Sequence, residues 1–333
     1  MKWYPWLNLP YRQIINCYQK NRRHHALLLH SQQGNGELSL CYAIIRWIMC
    51  QHPNDIKSCG ICPSCKLMKS GNHPDFYQIE IEKDSKIIGI NSINTIIDRV
   101  YEYAHQGGFK IVWIPNSDFL TISAATTLLK TIEEPPEDTY FLLGCQQILR
   151  LLPTLKSRCL FWSLRAPEEM IGLYWLKQAG YDDLISVHTA LRLCHGAILA
   201  AEALLQPKRW QERLTLCTAL QKAYTKNEFL LLLPSLNKED NEPLYWLLSF
   251  LSDALKWPYN GGEKEFLVNY DNTFLVKSLT ERYSILVLHS QWQQGLYCIR
   301  QLQEISGINR EILLTNYLLN WEHGIIDNYN YSF

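Results

Sequence analysis

Ala26-Leu27-Leu28-Leu29-His30-Ser31-Gln32-Gln33-Gly34-Asn35-Gly36-Glu37-Leu38 is the stretch on which the fold turns. An apolar run of strand character feeds a short loop with two glycines, and a helical pattern follows over 38–50. Strand, glycine loop and helix in that order frame a phosphate-binding loop, where glycines let backbone amides approach a phosphate at a helix N-terminus. The frame is present but its chemistry is missing. Glu37 stands in the place of the lysine, and Leu38 in the place of the magnesium-binding serine or threonine. Two unit charges about 4 Å apart at an effective dielectric near 20 interact by roughly 4 kcal/mol, so a carboxylate exchanges an attraction of that order for a repulsion. Taken alone, Gly34 and Gly36 favour an ordinary strand-to-helix turn.

Outward from this stretch, short apolar runs alternate with helical patterns as far as about Ser163. Strands are expected at 26–30, 76–79, 111–114, 140–143 and 160–162, and helices at 38–50, 91–105 and 123–133, the last stopped by Pro135-Pro136. That alternation is the signature of a parallel sheet covered by helices. In an ATPase the strand Ile111-Val112-Trp113-Ile114 would end in two acids that hold magnesium and polarise water. Here it ends in Pro115-Asn116. Two losses at the two expected places argue for a degenerate ATPase more than either does alone.

After Pro167 the strand signal disappears, and helices are expected at 167–179, 183–193, 197–205, 208–225, 243–257, 282–305 and 310–323. Pro207 is a plausible break within this half. The expected organisation is an α/β domain over 1–165, a three-helix unit over 166–207 and a larger helical domain over 208–333. The turn-rich segment 258–273 reads as a surface loop.

Cys50, Cys59, Cys62 and Cys65 form C-x8-C-x2-C-x2-C, with Gly60, Pro63 and Ser64 supplying tight-turn chemistry. C-x2-C pairs bring two sulfurs to one metal, and four thiolates suit a structural Zn²⁺ with no position left for water. The expected module spans 50–65. Unligated core cysteines or redox chemistry are the competing readings. The loop carries Lys57, Lys66 and Lys69 as cations, a thin basis for contact with DNA. The other seven of the eleven cysteines (Cys17, Cys41, Cys145, Cys159, Cys194, Cys217, Cys298) sit singly in apolar runs, which suits a reducing compartment.

A chain of 333 residues with 47% hydrophobic residues buries a real core, which excludes a disordered or fibrous protein. Lysine plus arginine and aspartate plus glutamate both number 32, so the whole-chain positive field of an autonomous nucleic-acid binder is missing. Met1–Pro10 has no apolar signal region, and no window of about 18 uncharged apolar residues occurs. A soluble cytoplasmic protein is expected.

Leu128-Leu129-Lys130-Thr131-Ile132-Glu133-Glu134-Pro135-Pro136 and Leu155-Lys156-Ser157-Arg158-Cys159 resemble the signature runs of clamp-loader subunits of the AAA+ family. Trp3-Tyr4-Pro5-Trp6, His24-His25-Ala26-Leu27-Leu28, the four-cysteine loop and Ser306-Gly307-Ile308-Asn309-Arg310-Glu311 add to the likeness. It covers nearly the whole chain, is strongest over 1–160 and 300–323, and points to a non-hydrolysing member of bacterial DNA polymerase III. The resemblance implies a RecA-like, P-loop-NTPase-like AAA+ domain, an all-α lid over 166–207 and an all-α collar over 208–333. It implies Arg158 as an arginine finger acting in trans on ATP bound by a neighbour, a role that suits a permanently charged, forked guanidinium. The implied partners are gamma/tau and delta subunits in a five-subunit ring, with the sliding clamp and primed DNA met through the assembled complex. No functional ATP site is implied. The chain would have no ATPase or polymerase activity of its own, although it is formally part of a DNA-directed DNA polymerase. The lid arginine of active members would fall near Gly196-Ala197-Ile198-Leu199, and Leu199 stands in its place.

Other readings of the same residues stay open. Leu128–Pro136 is also an amphipathic helix ended by prolines, with Lys130, Glu133 and Glu134 facing either solvent or a neighbour. His24 and His25, beside Arg22 and Arg23, read as a solvated or partly packed helix end before they read as a phosphate-seeking patch. Trp3, Tyr4 and Trp6 read as packing of the N-terminal segment before a base-stacking platform. Ile312, Leu313, Leu318, Leu319 and Trp321 suit core or subunit interface. At the level of function, the alternatives are an active gamma/tau-like ATPase, which needs Lys and Ser/Thr where Glu37 and Leu38 stand, and an independent zinc-dependent nucleic-acid-binding protein.

Overall fold

The structure is a computed structural model that describes residues 1–20, 24–81, 87–106, 108–259, 263–305 and 307–323. Arg22, Arg23, Asn260, Gly261, Gly262 and Ser306, which figure in the sequence reading, lie outside the described residues. The chain divides into two compact units, Met1–Pro167 and Glu168–Phe333.

In the first unit the order is α1 (Asn8–Gln19), β1 (Ala26–Ser31), α2 (Glu37–Ile48), α3 (Pro63–Ser70), β2 (Phe76–Gln78), α4 (Ile90–Val100), β3 (Lys110–Ile114), α5 (Ile122–Glu133), β4 (Thr139–Cys145), α6 (Pro153–Ser157) and β5 (Leu160–Leu164). The five strands form one parallel sheet in the order β2-β3-β4-β1-β5. β1 is central, with Ala26 beside Phe141 of β4 and Leu27 beside Leu160 of β5. Because strand side chains alternate, Leu27, Leu29, Ile111, Trp113 and Leu142 pack on one face under α1 and α2. Ala26, Leu28, Val112, Ile114, Phe141 and Leu143 pack on the other with residues of α4, α5 and α6. Both faces are covered, which is why the strands read as continuous apolar runs.

Local chemistry sets the helix ends. Thr121 caps α5 by accepting from the Ala124 amide at 3.2 Å, and Pro135-Pro136 end it. α4 stops five residues short of the expected 105. The ammonium of buried Lys110 donates to the Val100 and Glu102 carbonyls at 2.5 and 2.8 Å, closing the helix end. α1 has no counterpart in the sequence reading; its Ile14, Ile15 and Tyr18 join the core under the sheet. His24 and His25 do not form a helix end: they lead directly into β1, stacked on each other at 4.7 Å.

The second unit is helical: α7 (Glu169–Gln178), α8 (Leu184–Leu193), α9 (Ile198–Leu204), α10 (Pro207–Lys226), α11 (Leu233–Leu236), α12 (Glu242–Lys256), α13 (Thr273–Arg282), α14 (Ile285–Glu304) and α15 (Arg310–Glu322). The expected helix over 282–305 begins later, because Ser284 caps α14 by accepting from the Val287 amide, and α13 precedes it. Nor is 258–273 simply a surface loop. Leu267 and Asn269 are fully buried. The Asp253 carboxylate accepts from the Val268 and Asn269 amides at 3.1 and 2.7 Å, and fully buried Arg213 forks to Asp271 and Asn269. In α15, Leu318 and Trp321 are core, Trp321 stacking on Phe229 at 4.2 Å, whereas Ile312 is exposed. No single helix among the described residues is long and apolar enough to cross a membrane.

Gly144 of β4 backs onto the end of β3 so closely that a Cβ would lie 2.3 Å from the Pro115 carbonyl oxygen. Backbone cannot yield as a flexible side chain does, so Gly144→Ala is expected to cost on the order of 1–3 kcal/mol. Gly108→Ala, with nothing within 4 Å of the added carbon, should stay within about 0.5 kcal/mol. Urea denaturation of both variants checks this: the midpoint should fall for the first and hold for the second.

Candidate functional site

The loop between β1 and α2 keeps the backbone form of a phosphate cradle. Gly34 and Gly36 both have φ of +89°, a left-handed conformation that glycine adopts without strain, and Gly36 caps α2. Glu37 turns back on the loop, and its Oε1 accepts from the Gly34 amide at 3.4 Å. A carboxylate of the chain itself therefore lies against an amide that would otherwise face a phosphate. Leu38 is 45% exposed and offers no hydroxyl. The outer side is covered by the N-terminal segment: Trp6 Nε1 donates to the Asn35 carbonyl at 2.8 Å, and Tyr4 and Leu7 pack against Gly36. This identifies Tyr4 and Trp6 as packing, stacked on each other at 4.9 Å, whereas Trp3 stays 39% exposed with its ring edge-on to Tyr11. Nothing local in the sequence signals it, since Trp6 and Asn35 meet only through the fold.

Beside the loop lies a cavity of about 360 Å³ whose lining includes Ser31, Glu37, Leu38, Pro115, Asn116 and Gln146. Among the described residues it is lined by no lysine or arginine, and the end of β3, Pro115-Asn116, supplies no carboxylate. A phosphate-loop protein would hold its nucleotide at this position, and here Glu37, Leu38, Pro115 and Asn116 line it.

The four cysteines come together. Cys50 follows α2, Cys59 and Cys62 lie on the loop, Cys65 is in the first turn of α3, and their sulfurs all lie within 4.8 Å of one another. Cys59 Sγ and Cys65 Sγ are 3.9 Å apart. Tetrahedral metal–sulfur bonds of about 2.3 Å place sulfurs about 3.8 Å apart, so the donor set fits a metal ion. Three sulfurs accept backbone amides: Cys50 from Cys59, Cys59 from Cys62, and Cys62 from Cys65. Backbone N–H groups of Ile61 and Cys62 pull the Cys59 thiol down to about 6, whereas burial pushes Cys65 up to about 12 and raises Cys50. Beneath the cluster, buried Ser64 donates to the Met49 carbonyl at 2.6 Å and meets His73 Nε2 at 2.9 Å. His73 Nδ1 accepts the Asp75 amide, so Nε2 carries the proton and donates to Ser64. The cysteine spacing gave no sign of this brace.

Arg158 follows α6 and precedes β5. Its Nε is paired with Glu133 Oε1 at the end of α5, and its Nη1 donates to the Thr154 carbonyl at 3.3 Å. The two side chains remain 42% and 44% exposed. His24, His25 and Ile132 line the same open depression, where His25 Nε2 donates to the Ile132 carbonyl at 2.7 Å. Burial, then the neighbouring His25, holds the His24 pKa below its ordinary value, which disfavours the charge a phosphate patch would need. Leu199 lies on α9, in the second unit.

Together these features define a class: a parallel α/β module with the backbone of a phosphate loop, without its cation or its strand-end acids, and with a four-cysteine knot inserted after α2. Comparison with known proteins narrows it. A family model described as "DNA polymerase III, delta subunit" matches residues 8–168, and one for that subunit's C terminal part matches 207–323. The chain is 49% identical to DNA polymerase III subunit delta' of Yersinia pestis, over 97% of this chain and 96% of that one. It is 39% identical to subunit delta' of Escherichia coli K12, again over 97% and 96%. A DNA polymerase III subunit tau/gamma of Haemophilus influenzae is 32% identical over 47% of this chain and 22% of its own length. The chain belongs to the family of DNA polymerase III delta' subunits.

If the cluster holds a metal, chelation should remove it and lower Tm by about 5 °C or more, the shift produced by losing roughly 2 kcal/mol in a domain of this size. Cys62→Ser should do the same, whereas Cys298→Ser, a lone buried cysteine in α14, should leave metal content unchanged. Elemental analysis together with thermal melts checks both.

Proposed function

We propose that this chain is a non-hydrolysing clamp-loader subunit of DNA polymerase III that completes a neighbour's ATP site with Arg158. In this reading 1–165 is an AAA+ domain of RecA-like form, 166–207 a three-helix lid and 208–333 a collar that joins a five-subunit ring. Zn²⁺ occupies Cys50, Cys59, Cys62 and Cys65; four thiolates leave it no open position, so it supplies stability and no catalysis. Gamma/tau subunits bind ATP, delta completes the ring, and the ring brings the sliding clamp to primed DNA in the cytoplasm.

The observation that carries the reading is the placement of Arg158 relative to the chain's own loop. Arg158 stands at the amino end of β5, where Leu160 pairs with Leu27, while Gly34 follows the carboxyl end of β1. A six-residue strand spans about 20 Å, beyond the reach of an arginine side chain. A half-exposed guanidinium so placed serves a phosphate on another molecule. The charge reversal at Glu37 supports the complementary half: the chain donates to an ATP site and hosts none.

Two measurements test this. The isolated chain should bind no stoichiometric MgATP; binding would favour an active gamma/tau-like ATPase instead. In the reconstituted loader, Arg158→Ala should slow hydrolysis at the adjoining site by on the order of 10³-fold, the usual value of an arginine finger, while assembly is unchanged. An unchanged single-turnover rate would leave an architectural subunit only.

A further inference from the structure

Glu133 is the last residue of α5, held there by the helix behind it and by Pro135-Pro136 ahead. A carboxylate at a helix C-terminus meets the negative end of the helix dipole, an unfavourable place without a cation nearby. Arg158 is that cation, and the manner of pairing matters. A guanidinium carries five N–H donors in a rigid planar fork. Glu133 takes the one on Nε, and the Thr154 carbonyl takes one on Nη1. Two contacts from two different helices, α5 and α6, fix the plane and, among the described residues, leave the remaining Nη donors without a partner on a half-exposed side chain. On the same helix end, the Ile132 carbonyl is tied to His25 at the foot of β1, so the position of Glu133 is referred back to the central strand.

We propose that Glu133 is the positioning residue of the arginine finger: it grips Arg158 by its Nε edge and presents the Nη edge to the γ-phosphate on the neighbouring subunit. The inference rests on the finger reading of Arg158. Glu133 touches no substrate; it acts by removing rotamer freedom from the guanidinium before the neighbour arrives, so the entropy of ordering it is not charged to the transition state. The pair is too exposed to contribute much to folding, so variants at Glu133 remain folded and assemble.

The test is a double-mutant cycle in the reconstituted loader with Glu133→Ala, Glu133→Gln, Arg158→Ala and the Glu133→Ala/Arg158→Ala double variant. It is read by single-turnover hydrolysis at saturating ATP and, separately, by ATP affinity. Glu133→Ala should slow hydrolysis about tenfold, a fraction of what loss of positioning can cost, with ATP affinity unchanged. Glu133→Gln keeps an oxygen for Nε and should recover most of the rate. In the Arg158→Ala background, Glu133→Ala should have no further effect, because it works only through that arginine. An unchanged or faster rate in Glu133→Ala, or an equal loss in both backgrounds, overturns the positioning role while a slow Arg158→Ala keeps the finger. A normal rate in Arg158→Ala overturns both.

Discussion

Everything in the first unit depends on β1 lying in the middle of a parallel sheet, hydrogen-bonded to β4 on one side and β5 on the other. Its residues are locked in register by both neighbours and covered on both faces. The strand therefore acts as a ruler between two chemically different ends. At its carboxyl end is the glycine loop, closed over by Glu37 and the N-terminal segment. At its amino end are His25, the end of α5 and Arg158, brought together because β1 and β5 start side by side. A fold that holds these ends about 20 Å apart cannot use the arginine on its own loop. In the ring proposed above, the same separation would suit donation across an interface.

In the proposed reading, loss of ATP chemistry is a change of side chains on the backbone form of a phosphate loop. The two left-handed glycines and the helix N-terminus still make a place suited to negative charge. Glu37 puts the chain's own negative charge there and engages the Gly34 amide. Trp6 and Tyr4 then fix the loop from outside. An internal carboxylate in this position offers an amide some of what a phosphate would, while opposing a nucleotide electrostatically. Restoring lysine at 37 alone would leave Leu38, Pro115 and Asn116 without the groups that hold magnesium.

Legibility in the sequence followed the range of the interactions. The five strands were readable to within two residues at each end, since burial on both faces writes itself into continuous apolar runs. The cysteine knot was readable because its four donors lie within sixteen residues. What escaped was long-range. Leu267 to Asp271 looks like turn-rich surface until Arg213 and Asp253 are placed beside it. The helix Asn8–Gln19 carries few strong local signals, and packing under the sheet secures it. His24 and His25 follow a helix in sequence but belong to the foot of a strand. Glu133 and Arg158 each belong to a recognisable run, yet nothing in either run says that they pair.

The cysteine knot also has a place in this mechanics. β2 is an edge strand of three residues, which taken alone is a weak element, paired only with β3. Immediately before it, His73 binds Ser64 between two of the cysteines, and the Asp75 carboxylate accepts the amides of His105 and Gln106 at 2.8 and 3.0 Å. The Asp75 carbonyl in turn accepts the Ile111 amide at the start of β3. Hydrogen bonds thus run from the knot through His73 and Asp75 into the sheet. A metal held by the four sulfurs would stiffen the approach to β2 and, through β3, β4 and β1, bear on the opposite edge of the same sheet, where Arg158 precedes β5. Its effect on the Arg158 end would therefore be mechanical, and would follow the integrity of the sheet more than any property of the metal.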